Sequence, residues 1–214
     1  MDTPSKRMVI AGVVALLVLV AGSAFAGESA GANAPISVSI LGGIHALNKN
    51  DTALPDQLLD IPLAGAVSYD LNPNWAVEGE LTWLIPLKQS VDLGAAGTQD
   101  RKSPDILAYQ ASVLGKLPVS GTPWTPYLVA GLGGVSFLSN TDADRLPQLA
   151  DTQNAFAINF GAGTTYGLGS HWALRADYRE FGAFPPSDAK GLSNGNKADP
   201  IWMERGTVGL AYRF

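Results

Sequence analysis

Polar and apolar residues alternate with a period of two along several segments of the chain, as they do in β-strands whose two faces meet different surroundings. In the segment 75–85, tryptophans and aliphatic residues share one face, and Glu78 and Glu80 share the other. The same alternation runs through 171–181 and 201–214. The pattern therefore predicts strands with one apolar and one polar face.

Eight segments combine strand composition with boundaries rich in turn-forming residues. They are 36–46, 59–70, 75–85, 105–117, 126–138, 154–167, 171–181 and 201–214. Strands of soluble proteins average about 5 to 6 residues. These segments are about twice as long, which suffices for tilted strands that cross a bilayer.

The connections between these segments alternate between short and long. The short ones are 71–74, 118–124 and 168–170, and the long ones are 47–58, 86–104, 139–153 and 182–200. This asymmetry is typical of barrels in the outer membrane, where periplasmic turns are short and extracellular loops are long. It predicts an all-β chain that forms an eight-stranded antiparallel up-and-down transmembrane β-barrel, with both termini in the periplasm.

The spacing of aromatic residues indicates which face of the barrel points outwards. Aromatic residues recur eight to ten positions apart on the apolar face of three segments. On tilted strands these separations rise by about 20–26 Å, which matches the roughly 25 Å apolar band between two aromatic girdles. The predicted girdle residues are Trp75, Trp83, Phe156, Tyr166, Trp172, Trp202 and Tyr212. A soluble lipocalin-like barrel, with its apolar face inside, is the alternative.

An outward apolar face sends the charged residues of the same strands into the lumen. The predicted lumen charge network comprises Glu78, Glu80, Arg175, Asp177 and Arg179, joined by Arg205 or Arg213. In so narrow an interior opposite charges should meet across the axis, and the alternative places them in separate water pockets. Glu204 falls on the outward face, so we expect it at or above the outer interface.

The glycines of two strands suit a narrow barrel interior where strands bend sharply. They are Gly161 and Gly163, with some of Gly131, Gly133 and Gly134. The segment 126–138 is too uniformly small and apolar for its two faces to be assigned from the sequence.

The N-terminus has the pattern of a secretory signal peptide over residues 1–26. Lys6 and Arg7 precede an apolar run, and Ala24-Phe25-Ala26 supplies the small-x-small cleavage pattern. An uncleaved anchor helix is the alternative. A short periplasmic segment, 27–35, would then lead into the barrel at 36–214. The chain has no cysteine and a net charge of −5, so disulfides are excluded and a nucleic-acid partner is not expected.

The C-terminus carries the sharpest motif, with a polar residue, a glycine and two aromatic residues at fixed spacing: Thr207, Gly209, Tyr212 and Phe214. This ending, GTVGLAYRF, and the hairpin GAGTTYGLGSHWALRADYREFG resemble the outer-membrane β-barrel family that includes the transmembrane domain of outer-membrane protein A and the opacity-type surface proteins. The resemblance implies a Gram-negative outer membrane, contact with its lipids and lipopolysaccharide, and an assembly machinery that reads the four motif residues.

Catalytic residues have little support in the sequence. The only histidines are His45 and His171, and the loop GLSNG at 191–195 faintly resembles the serine motif of lipid A deacylases. Those enzymes have a histidine two residues before the serine, where this chain has Gly191. We therefore expect no enzyme, no cofactor and no metal site, and a structural or surface-interaction role in envelope integrity, adhesion or as a surface antigen. A lipid A-modifying enzyme and a small-molecule conduit are the alternatives.

Overall fold

The computed structural model describes residues 35–47, 59–92, 97–187, 192 and 200–214. Eight long antiparallel strands close into a barrel, and two short strands form a separate hairpin. The strands are β1 (Ile36–Leu47), β2 (Leu59–Asn72), β3 (Trp75–Pro86), β4 (Gln89–Asp92), β5 (Thr98–Arg101), β6 (Ile106–Lys116), β7 (Trp124–Phe137), β8 (Gln153–Gly167), β9 (Trp172–Phe184) and β10 (Ile201–Arg213). The predicted eight-stranded up-and-down barrel is confirmed.

Pairing between the first and last strands closes the barrel. β1 and β10 pair antiparallel from Ser37↔Arg213 to Leu47↔Met203, and each other barrel strand pairs with the next one along the chain, β3 being followed by β6. A closed sheet has no free edge, so its backbone groups are satisfied without water, as a bilayer requires. Among the described residues, no helix is long and apolar enough to cross a membrane.

Large apolar side chains cover the outer surface of the barrel. Leu128 and Val208, for example, are 64% and 67% exposed. Exposed apolar area on this scale is unusual for a soluble protein and marks a surface that meets another apolar phase. Glu78 on β3 and Arg175 and Asp177 on β9, by contrast, are buried inside the barrel. Apolar residues therefore face outwards, and the lipocalin-like alternative does not hold.

The interior glycines allow a close approach between strands. A Cβ atom at Gly133 would collide with the carbonyl oxygen of Tyr109, and one at Gly161 with that of Tyr178. Both glycines face the lumen, on β7 and β8. Gly134 does not: it faces outwards beneath the ring of Tyr109, because side chains alternate along the strand.

The main difference from the sequence-based expectation lies in the long connection 86–104. It contains the hairpin of β4 and β5, paired from Gln89↔Arg101 to Asp92↔Thr98. Two four-residue polar strands give no periodic signal, which explains why the sequence did not predict them. The predicted leader 1–26 lies outside the described residues, as does 27–34.

Candidate functional site

Six charged side chains meet in the middle of the barrel lumen. Their charges cancel, since three are arginines and three are carboxylates, and every one of them is buried. They are Glu78 and Glu80 on β3, Arg175, Asp177 and Arg179 on β9, and Arg205 on β10. β3 and β9 occupy opposite positions in the barrel, so the six side chains bridge the lumen from wall to wall. We call them the lumen charge network.

Glu78 joins the two walls. Arg175 donates from Nη1 to Glu78 Oε2 at 2.6 Å and from Nη2 to Oε1 at 3.0 Å. Arg179 Nη2 donates to the same Oε1 at 2.6 Å, and Ser68 Oγ donates to Oε2 at 2.6 Å. A carboxylate with two arginines and a hydroxyl around it keeps its charge inside the barrel, because each oxygen accepts charge-assisted hydrogen bonds.

Asp177 contacts all three arginines of the network. Its Oδ1 accepts from Arg179 Nε at 2.8 Å and from Arg205 Nη2 at 3.3 Å, and its Oδ2 accepts from Arg175 Nη2 at 3.1 Å. Tyr127 on β7 adds its hydroxyl, which donates to Oδ2 at 2.7 Å and accepts from Arg175 Nε at 2.9 Å. Tyr127 was not predicted from the sequence, because the faces of its strand could not be assigned there.

Glu80 forms a second bidentate pair with Arg205. The two hydrogen bonds measure 2.6 Å (Nη1 to Oε1) and 3.1 Å (Nη2 to Oε2). Thr82 Oγ1 accepts from Arg205 Nη1 at 2.6 Å. Arg179 and Arg205 are each 0% exposed. Buried charges are tolerated only when they are paired and hydrogen-bonded, so the network must hold together as a unit.

An apolar cluster fills the lumen on the extracellular side of the charges. Its inward side chains come from six barrel strands, and Leu149 and Leu192 from two outer connections complete it. The strand residues are Leu84, Ile106, Ala108, Val135, Phe137, Ala155, Ala157, Phe181, Ala183, Ile201 and Met203. We call this the outer apolar cluster. The lumen is therefore filled at two successive levels, polar below and apolar above.

The periplasmic end of the lumen is more open. A cavity of about 270 Å³ is lined by hydroxyl-bearing, charged and apolar side chains and reaches up to Arg175. At its mouth Asp70 pairs with Lys116 at 2.7 Å and with Arg213 at 3.4 Å. Arg213 is therefore not part of the buried charge network. It is the last residue of β10, so its side chain lies at the mouth, whereas Arg205 lies at the level of Glu80.

A second buried polar group lies at the outer end of β1 and β2. Asp60 Oδ1 accepts a hydrogen bond of 2.6 Å from Ser103 Oγ, and its Oδ2 lies 3.3 Å from His45 Nδ1. All three residues are at most 1% exposed. Periodicity does not predict this contact, because Ser103 comes from an irregular connection 43 residues away from Asp60.

Two outer connections are tied together next to this group. Arg145 Nη1 donates to the carbonyl oxygen of Ser103 at 2.6 Å. The backbone N–H of Lys102 donates to Asp144 O at 2.8 Å, and Leu146 N–H donates back to Lys102 O at 2.9 Å. The hydrogen bond from the Lys102 ammonium lowers the pKa of the Asp144 carboxyl below its ordinary value. Hydrogen bonds therefore join the connections 102–105 and 139–152 to each other.

The arrangement of the histidines differs from that of a hydrolase. Asp60 stands between Ser103 and His45, whereas the histidine stands between the serine and the acid in a catalytic triad. Ser170 Oγ lies 2.8 Å from His171 Nδ1 on an exposed periplasmic turn. In the described part of the chain, no group of three or more His, Cys, Asp or Glu side chains could hold a metal ion. Ser193 lies outside the described residues.

The predicted girdle residues lie near the two ends of the barrel. At the periplasmic end Tyr212 packs edge-on against Trp172, with ring centroids 4.9 Å apart, and Tyr166 pairs with Trp124. Trp75 begins β3 at that same end. Trp83, Phe156 and Trp202 lie towards the extracellular ends of their strands.

Glu204 lies on the outward face of β10, close to the outer girdle residue Trp202. It lies two residues further into the membrane segment than Trp202, opposite Glu180. Tyr178 and Glu204 share a side-chain hydrogen bond, which gives the carboxyl a polar partner on the outer surface. That Glu204 sits at or above the outer interface stays a prediction.

The four residues of the C-terminal motif have different surroundings. Thr207 and Gly209 face the lumen, and Thr207 Oγ1 donates to the carbonyl oxygen of Asp177 at 3.4 Å. Tyr212 faces outwards within the periplasmic girdle. Phe214 follows directly after β10 and is partly exposed. The motif thus combines side chains from both faces of the closing strand.

Comparison with known proteins identifies the family. The family profile described as "Outer membrane protein beta-barrel domain" matches residues 12–214. The chain belongs to this outer-membrane β-barrel family. No curated protein matches the chain. Among solved structures it is similar to the N-terminal β-barrel domain of OprF from Pseudomonas aeruginosa, with 14% identity, a TM-score of 0.52, and coverage of 85% of this chain and 99% of that one.

A second similar structure is Neisserial surface protein A, with 14% identity and a TM-score of 0.57. The match covers 85% of this chain and 98% of the neisserial chain. At this level of identity the likeness concerns the fold. Membership of the family nevertheless places the protein in the outer membrane, surrounded by its lipids.

Proposed function

We propose that the protein is a closed, non-catalytic barrel that acts through its extracellular loops. Its role would be structural or adhesive, in envelope integrity or in surface interaction. The observation that carries this proposal is the filling of the lumen at two levels, first by the lumen charge network and then by the outer apolar cluster. A barrel whose interior is filled by side chains offers no wide path for solutes, which leaves the loops as the part that meets partners.

The buried charges support a closed lumen more strongly than the apolar cluster does. Opening a path past Glu78 or Asp177 would separate charges that are held by several hydrogen bonds each. Removing one partner from a buried pair typically costs about 3–5 kcal/mol. A spontaneous open state of the charge network should therefore be rare.

The serine–histidine geometry also favours a role without catalysis. The His45 imidazole does not lie between Ser103 and Asp60, and the three side chains are shielded from solvent. A general base must reach the hydroxyl that it activates, and the substrate must reach both. Neither condition is met at this group in the described residues.

The lipid and assembly partners follow from the same proposal. The extracellular connections would lie among lipopolysaccharide headgroups, and the envelope's barrel-assembly machinery would read Thr207, Gly209, Tyr212 and Phe214. An N-terminal signal peptide would deliver the chain to that machinery through the periplasm of a Gram-negative cell.

The decisive experiment is a deletion strain examined for envelope permeability, adhesion and lipid A composition together. We expect changed permeability or adhesion with an unchanged lipid A mass spectrum, and restoration by the intact gene. A matched strain complemented with His45→Gln tests for catalysis. A lipid A change that the intact gene reverses and His45→Gln does not would contradict the proposal and favour the lipid A-modifying alternative.

A further inference from the structure

A groove of about 510 Å³ crosses the outer surface of β8, β9 and β10. Its lining is almost entirely apolar at the side chains that face outwards. These are Thr164 and Tyr166 on β8, Leu174 and Ala176 on β9, and Val208 and Leu210 on β10. We call it the β8–β10 groove.

The groove exists because small and large side chains lie in adjacent rows. Thr164 pairs with Ala176, and Ala176 pairs with Val208, so these three residues form one row across the strands. The small side chain of Ala176 leaves the centre of this row low. In the next row, towards the periplasm, Tyr166, Leu174 and Leu210 stand higher. Each is roughly half exposed. The result is a depression flanked by large apolar walls.

The side chains below the groove place it at a particular depth in the membrane. Trp172 and Tyr212 form the next row of outward-facing side chains towards the periplasm. His171 stacks on Tyr212 with ring centroids 5.6 Å apart. Ser170 and His171 then form the exposed turn. Aromatic rings favour the headgroup boundary, so the groove opens into the hydrocarbon of the periplasmic leaflet, directly above a polar turn.

We propose that the β8–β10 groove binds one phospholipid of the periplasmic leaflet. One acyl chain lies against Ala176 and between the side chains of Leu174 and Val208. The headgroup lies beside the Ser170–His171 turn, where a hydroxyl and an imidazole can hydrogen-bond to phosphate oxygens. An acyl chain that lies in the groove is contacted on several sides, whereas one that lies on a convex part of the barrel wall is contacted on one side only. The groove therefore buries more of the acyl chain and makes more dispersion contacts with it.

Native mass spectrometry tests the proposal on the purified barrel. The protein is reconstituted in vesicles of phosphatidylethanolamine and phosphatidylglycerol, extracted in mild detergent and activated until loosely held lipid is lost. We expect one phospholipid to remain on the unmodified protein. Ala176→Leu fills the centre of the groove and should abolish this retention, and Thr164→Leu is a second, independent groove-filling variant.

Ala130→Leu is the matched control. Ala130 is an exposed, outward alanine on β7, outside the groove, so this variant should retain the lipid as the unmodified protein does. The shift in gel mobility on boiling shows that each variant is folded. Equal retention by Ala176→Leu, Thr164→Leu and the unmodified protein would overturn the proposal. So would the absence of a retained lipid on the unmodified protein.

Discussion

Arg175 and Glu78 form two nearly parallel hydrogen bonds, of 2.6 and 3.0 Å, across the interior of the barrel although 97 residues separate them in the chain. The arginine belongs to β9 and the glutamate to β3, on opposite walls. A bidentate arginine–carboxylate pair is among the strongest polar contacts in proteins and is specific in its geometry. This pair therefore braces the closed sheet from the inside.

Replacing Glu78 with glutamine should destabilise the barrel by about 3 kcal/mol, because Arg175 and Arg179 would both lose a buried counter-charge. The midpoint of urea unfolding in lipid vesicles, followed by tryptophan fluorescence, measures this change. Asp100→Asn is the control, since Asp100 pairs with Lys88 at 3.6 Å and both side chains are more than half exposed. An unfolding midpoint for Glu78→Gln equal to that of Asp100→Asn would contradict the bracing role.

Replacing Tyr127 with phenylalanine should lower stability by about 1–3 kcal/mol, because Asp177 and Arg175 each lose one buried hydrogen bond. The same urea titration measures the effect. Tyr69→Phe removes a hydroxyl from the outward face, where the tyrosine is 47% exposed, and should leave the midpoint nearly unchanged. If both variants unfold at the same urea concentration as the unmodified protein, Tyr127 contributes nothing to the network.

Strand composition and period-two alternation predicted the barrel strands, and the spacing of aromatic residues indicated that their apolar face points outwards and their charges inwards. Glu78 and Arg175, for example, could be placed in one lumen because the strand count puts β3 opposite β9. Contacts that depend on loops could not be predicted. Ser103 reaches Asp60 from an irregular connection, and Leu149 enters the outer apolar cluster from another. No repeat in the sequence encodes such positions.

The two faces of a strand could not be assigned from the sequence where its side chains were too uniform. In β7 small and apolar residues occupy both faces, so neither the inward direction of Tyr127 nor the outward direction of Gly134 could be inferred. The hydrogen bond between Glu204 and Tyr178 could not be predicted either, because it joins two neighbouring strands.

Deleting Phe214 should lower the amount of folded protein in the outer membrane. The family resemblance implies that the assembly machinery reads the terminal aromatic residue. Contacts within the loops cannot substitute for this recognition. Heat-dependent gel mobility of isolated outer membranes measures the folded fraction. Ser90→Ala, a substitution in the exposed β4–β5 hairpin, should leave that fraction unchanged. Normal folded levels of the truncated protein would count against the motif.

The protein isolated from membranes should begin at Gly27, because Ala24-Phe25-Ala26 supplies a signal-peptidase site. Intact-mass measurement decides this directly. Ala26→Leu, which removes the small residue at the cleavage position, should leave the precursor mass. A native mass that still includes residues 1–26 would instead indicate an uncleaved anchor helix.

The closed lumen is the central claim, and single-channel recording in planar bilayers tests it most directly. The lumen charge network and the outer apolar cluster predict that the unmodified, folded protein gives no large and steady current. Glu78→Gln, which loosens the network, should give brief openings at most, because the outer apolar cluster remains in place. Large, sustained conductance from the unmodified protein would contradict the account and would make transport through the lumen its function.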